Sequence, residues 1–512
     1  MKQRSPPDTR SANTTLLITG SVVVLVLIAL LLTRLGRSRH DIAREKPLIV
    51  FCAAGIRPPV EELARQYQEE MGVPIQLQYG PSGTLESKIE VNPKGDLFIP
   101  AGVDPFILRC QEKGLVAETI PLARFRLVLA VNPESAHAVG SLDDLFQKEI
   151  GFSLANEQAA VGRQTRRLLE KTGDWSRVRD GAKVTKLTVN DVAQDIAMGT
   201  QVVAGFVWDS TARQFDLKIV DIPQLSDGES TITAGLLTGT ADPAAALRFA
   251  RYLASPEKGQ PVFTRHHYQP LPGDPWAVEP EITLYSGGVN RMAIEETVRA
   301  FEKREGCMIS VTFNGCGILV AQMKAGQQPD AYLACDVSFV QQVRDQFRDV
   351  VINVSQTDLV ILVRPGNPKN IHSLADLGRD GLRVGLADER LSALGSLTKN
   401  LLEEVGLYDQ VVRNRRTTSP TADFLVTQLT TSGQLDAVVV YQANCAHVGG
   451  QGEIVRIDHP HAHAIQPFAI HRKSRYPQLT GRFLKALTSD ASRARFESVG
   501  FRWLNGAKTP RP

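Results

Sequence analysis

The chain has 512 residues, a length that as a prior corresponds to roughly three to four domain-sized units. Hydrophobic residues make up 43% and charged residues 22%, the balance of a folded protein, which argues against extensive disorder. Lys and Arg total 58 against 55 Asp and Glu; the net charge of +3 is too even for a nucleic-acid partner, and the short cluster Arg413, Arg415, Arg416 reads as a solvated face.

In chain order, residues 1–14 form a polar tail with Lys2, Arg4 and Arg10. Leu16 to Leu32 is an apolar run interrupted by Thr19, Gly20 and Ser21. As a helix it covers about 26 Å, close to a bilayer's hydrocarbon thickness. No small-x-small cleavage site and no lipid-attachment cysteine follow it, so residues 15–33 are expected to be an uncleaved transmembrane anchor. Residues 34–46, with Arg34, Arg37 and Arg39, make a basic tether; the charge on the two flanks is too balanced to set the orientation.

The remainder reads twice. LIVFCAAGIRPPVEELARQYQEEMGVPIQLQYGPSGTLESKI begins at Leu48, and EITLYSGGVNRMAIEETVRAFEKREGCMISVTFNGCGILVAQM begins at Glu281. Phe51 matches Tyr285, Glu61 matches Glu295, Gly83 matches Gly317 and Asp96 matches Asp330, each pair 234 residues apart. Agreement without gaps over a stretch this long points to a duplicated domain rather than a solenoid unit. The first module is expected at 47–270, a stiff Pro-rich linker at 271–280 and the second module at 281–505.

Each copy opens with a short strand (48–51; 282–285), a small-residue loop and a helix with apolar spacing (Val60, Leu63, Ala64, Tyr67; Ile294, Thr297, Val298, Phe301). A second strand (75–79; 309–313), a glycine loop that opens another helix, and a third strand (96–100; 330–334) follow. Later strands at 127–131 and 359–363 lead into a second set of βα units, which includes TRRLLEKTG at Thr165 and TKNLLEEVG at Thr398. Strands that alternate with helices predict parallel sheets, with ligands beyond the strands' carboxyl ends. The expected fold class is thus α/β: two tandem bilobal modules, each of two parallel-sheet lobes with a cleft between them, plus the N-terminal transmembrane helix.

The order of a strand with AAG, the loop GPSGTL, the strand GDLFIPA and then RYLASPEKGQPVF resembles the periplasmic molybdate-binding proteins of ABC importers, which have the type II solute-binding fold. The second copy is similar to them in LVILVRPGNPKNIHSLADLG, LTKNLLEEVGLYD and DAVVVY. The resemblance implies a tetrahedral oxyanion held by hydroxyl and backbone N–H donors without a cationic partner, an ABC permease as partner, no cofactor and no enzyme activity. It also implies that the modules lie outside the cytoplasm. Helix N-termini, with partial positive charge and free N–H groups, suit such a ligand.

Carried over residue by residue, the family's first serine falls on Gly55 and Val289, although Ser286 stands three residues earlier in the second copy. The serine of the glycine loop falls on Ser82 and on Cys316, a poor donor. Backbone donors fall near Val161 and Leu394, and near Val189 and Ala422 or Asp423. The cleft tyrosine falls on Trp208 and Tyr441. Ser82 with Trp208 is the set expected in copy one, and Ser286 with Tyr441 in copy two. Each has a plainer reading: Ser82 as a helix N-cap, Trp208 and Tyr441 as packing, Gly80, Gly83, Gly315 and Gly317 as tight turns.

The six cysteines show no zinc spacing. Cys316 and Cys335, after adjacent strands, could meet as a disulfide or a soft-metal pair, and two separate small core residues is the reading the residues favour. The run His459, His461, His463, with His471 beyond, suggests metal binding but has no counterpart in copy one, and no metal is expected. No GxSxG, HExxH or Walker loop occurs. Two rival functions stay open: a membrane-tethered sensor or interaction protein with a degenerate binding fold, and a receptor for iron or another metal.

Overall fold

The structure, a computed structural model, describes residues 46–102 and 106–508. The chain divides into two compact units, the first running to Ala241 with Tyr252–Ala254 and Lys258–Leu271, the second comprising Asp242–Arg251, Ser255–Glu257 and Pro272 onwards.

In the first unit the strands are β1 (Leu48–Ala53), β2 (Ile75–Gly80), β3 (Leu97–Ile99), β4 (Val116–Val131), β5 (Phe152–Ala155), β6 (Val184–Lys186), β7 (Ala204–Trp208), β8 (Lys218–Val220), β9 (Glu229–Leu237) and β10 (Gln269–Pro270). Their order is β2-β1-β3-β9-β4-β7-β5-β6, with β8 and β10 beside β4. β1 is a buried apolar run, as expected of a strand covered on both faces. Helix α1 (Arg57–Met71) starts on prolines, buries Val60, Leu63, Ala64 and Tyr67 along one stripe, and stops at Gly72, whose φ of 68° an L side chain resists.

The second unit repeats this plan with β11 (Glu281–Gly287), β12 (Met308–Asn314), β13 (Ala331–Leu333), β14 (Phe347–Val363), β15 (Val384–Ala387), β16 (Arg415–Ser419), β17 (Ala437–Tyr441), β18 (Glu453–Arg456), β19 (His463–His471) and β20 (Arg502–Lys508). The order is β12-β11-β13-β19-β14-β17-β15-β16.

Two expectations are corrected. The lobes are not purely parallel: β9 pairs antiparallel with β3 and β4, and β4 antiparallel with β7. β4 is 16 residues long, eleven residues earlier in its start than the apolar segment at Leu127, and belongs to both lobes. Its first half, VAETIPLARFR, alternates buried and exposed residues and holds Pro121 at a register shift, which hides it from an apolar-run reading. The second correction concerns the transmembrane helix. Among the described residues no helix is long and apolar enough to cross a membrane, and residues 15–33 lie outside them. The fold class that stands is the pair of α/β modules alone.

Candidate functional site

In the first unit a small cavity lies at the carboxyl ends of β1, β2 and β7. It is lined by Gly55, Ser82, Val161, Val189 and Trp208, together with Ala53, Ala54, Gly80, Pro81, Ala101, Ala159, Ala160 and Thr188. The structure therefore brings together all five residues singled out in copy one. Three of them open helices: α2 (Ser82–Val91), α3 (Ala160–Thr172) and α4 (Val189–Met198). The first turn of a helix has N–H groups without intrahelical acceptors, and the dipoles put partial positive charge there. Among the described residues, no charged side chain lines the cavity.

Ser82 is the first residue of α2 rather than its N-cap, which is Pro81. Its Oγ accepts the Ala101 N–H at 3.1 Å, which leaves the hydroxyl proton for another acceptor. Thr188 caps α4 in a reciprocal box with Asp191, so the Asp191 N–H is taken and the preceding N–H groups are not taken by it. A Cβ on Gly55 would stand 2.8 Å from Val189 Cγ1 and 3.7 Å from Trp208 Cδ1, so the bare backbone keeps this space open. Trp208 packs edge-on against Phe125, with centroids 4.1 Å apart.

Contacts across the cleft close it. The Gly83 N–H donates to Gln158 O at 2.9 Å, and Asn190 Nδ2 donates to Ala54 O at 3.3 Å. The Tyr268 hydroxyl, from the closing segment, donates to Gly55 O. In this closed form the cavity measures about 20 Å³, room for a water molecule.

The equivalent place in the second unit has different chemistry. Helix α5 (Cys316–Lys324) begins where α2 does, α6 (Ala393–Glu404) has Leu394 in the place of Val161, and α7 (Ala422–Thr427) has Ala422 in the place of Val189. Val289 supplies a side chain where copy one has Gly55. Ser286 lies within β11 and donates to Gly287 O at 3.3 Å. Tyr441 ends β17 with a buried hydroxyl that has no hydrogen-bond partner among the described residues. Asp423 takes the position of Asn190; its carboxylate is held by Asn444 Nδ2 at 2.6 Å and would lie 4.0 Å from a Cβ on Gly288. Burial pushes the pKa of Asp423 up, with Asn444 and Arg291 opposing.

Sequence reasoning missed Ala101, Asn190 and Tyr268. The T-x-x-D box at Thr188 was a legible helix-start signal for α4; Tyr268 comes from a distant segment and had none. Of the histidine run, His459 and His461 face Glu404, one ligand atom from each within 4.8 Å, while His463 starts β19 and His471 ends it.

The family model described as bacterial extracellular solute-binding protein matches residues 48–269 and again 282–502. A molybdate-binding protein, ModA, of Mycobacterium bovis is 25% identical over 201 residues, covering 38% of this chain and 74% of that protein. A Bacillus subtilis protein described as an ABC transporter substrate-binding lipoprotein is 27% identical over 257 residues, 48% of this chain and 97% of its own length. Among solved structures, the periplasmic molybdate-binding protein of Azotobacter vinelandii aligns with a TM-score of 0.39 and 16% identity, over 44% of this chain and 99% of that one. With both modules matched, the chain belongs to the bacterial extracellular solute-binding proteins and carries two tandem copies of the family's domain.

Proposed function

We propose that the first module captures a tetrahedral oxyanion of the molybdate kind and passes it to the permease of an ABC importer. One observation carries this reading: three helix N-termini and the Ser82 hydroxyl converge on a cavity that no charged side chain lines among the described residues. Such a site neutralises an anion with fixed dipoles and N–H groups, and hydrogen bonds to a charged acceptor are the stronger kind. Ser82, the first-turn N–H groups at Val161 and Val189, and the Trp208 indole N–H are the donors in this reading. The descriptions of the ModA relative as molybdate-binding and of the Bacillus subtilis relative as an ABC transporter substrate-binding lipoprotein support it.

The closed cavity is water-sized, so the anion enters when the lobes part about β4 and β9, the strands shared between them, and the Gly83–Gln158 contact breaks. In the second module the Val289 side chain, the Cys316 thiol and the Asp423 carboxylate replace an open space, a hydroxyl and an amide, so that cleft does not take the same anion. Isothermal calorimetry of the purified protein with molybdate, tungstate, sulfate and phosphate tests the reading. It expects heat from molybdate and tungstate at one site per chain. A folded protein that gives no heat with any of the four would sink it.

A further inference from the structure

Where the first copy has Ser82 and Ala101, the second has Cys316 and Cys335. The backbone frame is the same in both: Ala101 N–H donates to Ser82 Oγ at 3.1 Å, and Cys335 N–H donates to Cys316 Sγ at 3.0 Å. That frame sets the two positions face to face, so a thiol at the second lands on the first. The sulfurs are 2.8 Å apart, nearer than two unbonded sulfur atoms pack. Gly287 makes the room: a Cβ there would stand 2.1 Å from Cys335 Sγ and 3.1 Å from Cys316 Sγ.

The two thiols are chemically unequal. Burial pushes Cys316 up, but the Cys335 thiol, the Tyr332 hydroxyl and the Cys335 N–H outweigh it and bring Cys316 below the ordinary thiol value. Hydrogen bonding to Cys316, together with burial, pushes Cys335 well above it. One sulfur is thus favoured as thiolate with a protonated partner beside it, the arrangement of an attacking and a resolving thiol. The other four cysteines are buried singly, and burial pushes Cys110 to about 11 and Cys307 and Cys445 to about 12. Extracellular proteins fold in oxidising compartments, where disulfides persist.

We propose that Cys316 and Cys335 are an oxidisable pair that forms a disulfide, clasping the first turn of α5 to the loop that follows β13. The co-reactant is a disulfide, of a small molecule or a protein. The Cys316 thiolate attacks one of its sulfurs and forms a mixed disulfide, and the first thiol leaves. Cys335 loses its proton and attacks Cys316 Sγ, and the second thiol leaves. Two protein thiols and one disulfide become one protein disulfide and two thiols. This proposal stands on the second unit's geometry and is independent of the anion reading.

The full-length protein, equilibrated with glutathione disulfide both in native buffer and after refolding from denaturant, is unfolded, alkylated and mapped by mass spectrometry beside a reduced sample. The chain has six cysteines; the reduced sample is expected to show all of them alkylated, and the oxidised sample a peptide linked through Cys316 and Cys335 with the other four alkylated. Cys335→Ala, which restores the first copy's residue, is expected to lose the link and leave Cys316 in a mixed disulfide. Cys316→Ser, which restores its partner, serves if that variant does not fold, and is also expected to lose the link. Six alkylated cysteines under oxidising conditions, a link between other cysteines, or thiols masked by a stoichiometric metal that a chelator removes would each overturn the proposal.

Discussion

Replacing Ser82 with alanine separates the two tasks its hydroxyl performs. The residue is 1% exposed and its oxygen accepts the Ala101 N–H at 3.1 Å. Truncation leaves that buried N–H without its acceptor, a cost of about 1–3 kcal/mol to the first unit's stability. The same change removes a donor to the anion. A hydrogen bond to a charged group is worth about 1.5–3 kcal/mol, which at about 1.4 kcal/mol per decade is roughly a 10- to 150-fold rise in Kd. Calorimetric titration with molybdate reads the second effect and urea unfolding the first. Ser82→Cys, the second copy's residue, is expected to recover part of the stability through its sulfur acceptor and little of the affinity, because a thiol is a weak donor. A Ser82→Ala protein that is less stable yet binds molybdate as tightly as the wild type would refute the donor role and leave Ser82 purely structural.

Gly55→Ala places a Cβ 2.8 Å from Val189 Cγ1 and is expected to weaken binding by roughly 5- to 150-fold by closing the cavity, since overpacking of this kind costs about 1–3 kcal/mol; the titration that serves Ser82 checks it. Asn190→Asp imports the second copy's carboxylate. Two charges about 5 Å apart at an effective dielectric of about 20 repel by about 3 kcal/mol, so molybdate binding should fall by roughly two orders of magnitude, and much less in Asn190→Ala. In the second unit Glu305 is fully buried and pairs with Arg482 at 2.8 Å and Arg251 at 3.3 Å. Glu305→Gln leaves two buried guanidinium groups without their carboxylate, and chemical unfolding should show a loss of about 3–5 kcal/mol. Burial pushes the Glu305 carboxyl up, but the two arginines outweigh it and the net shift is downward. Its contribution is therefore full above the unfolded-state value of about 4.3 and fades as pH falls through the lower folded value. Acid unfolding of the second unit should lose part of its pH dependence below about pH 4 in the Glu305→Gln protein.

Much of this arrangement was legible in the chain because the repeat aligns without gaps through the first three strands. That alignment placed Ser82 opposite Cys316 and Gly55 opposite Val289. The residues gathered at the cavity each follow a strand end or open a helix, positions that βα patterning marks. Other features had no local signal. The length of β4 was masked by Pro121 and by polar residues that face outward in a half-buried strand. Ala101 matters through its backbone N–H, which no side chain advertises. Tyr268 reaches Gly55 from 213 residues away. The nearness of Cys316 and Cys335 was readable only as one option, since strand order says which loops are neighbours and not how close two sulfurs come. The antiparallel strands β9 and β19 return from one lobe to the other, a long-range pairing that periodicity cannot reveal.

The central claim is that one module of the two holds the anion, by uncharged donors at Ser82, Val161, Val189 and Trp208 around the space that Gly55 leaves open. Equilibrium dialysis against molybdate, with bound molybdenum counted per chain by elemental mass spectrometry, tests it directly. The account predicts one molybdenum per chain, lost in Gly55→Val and retained in Tyr441→Phe. No bound molybdenum, two per chain, or retention by a folded Gly55→Val protein would contradict it.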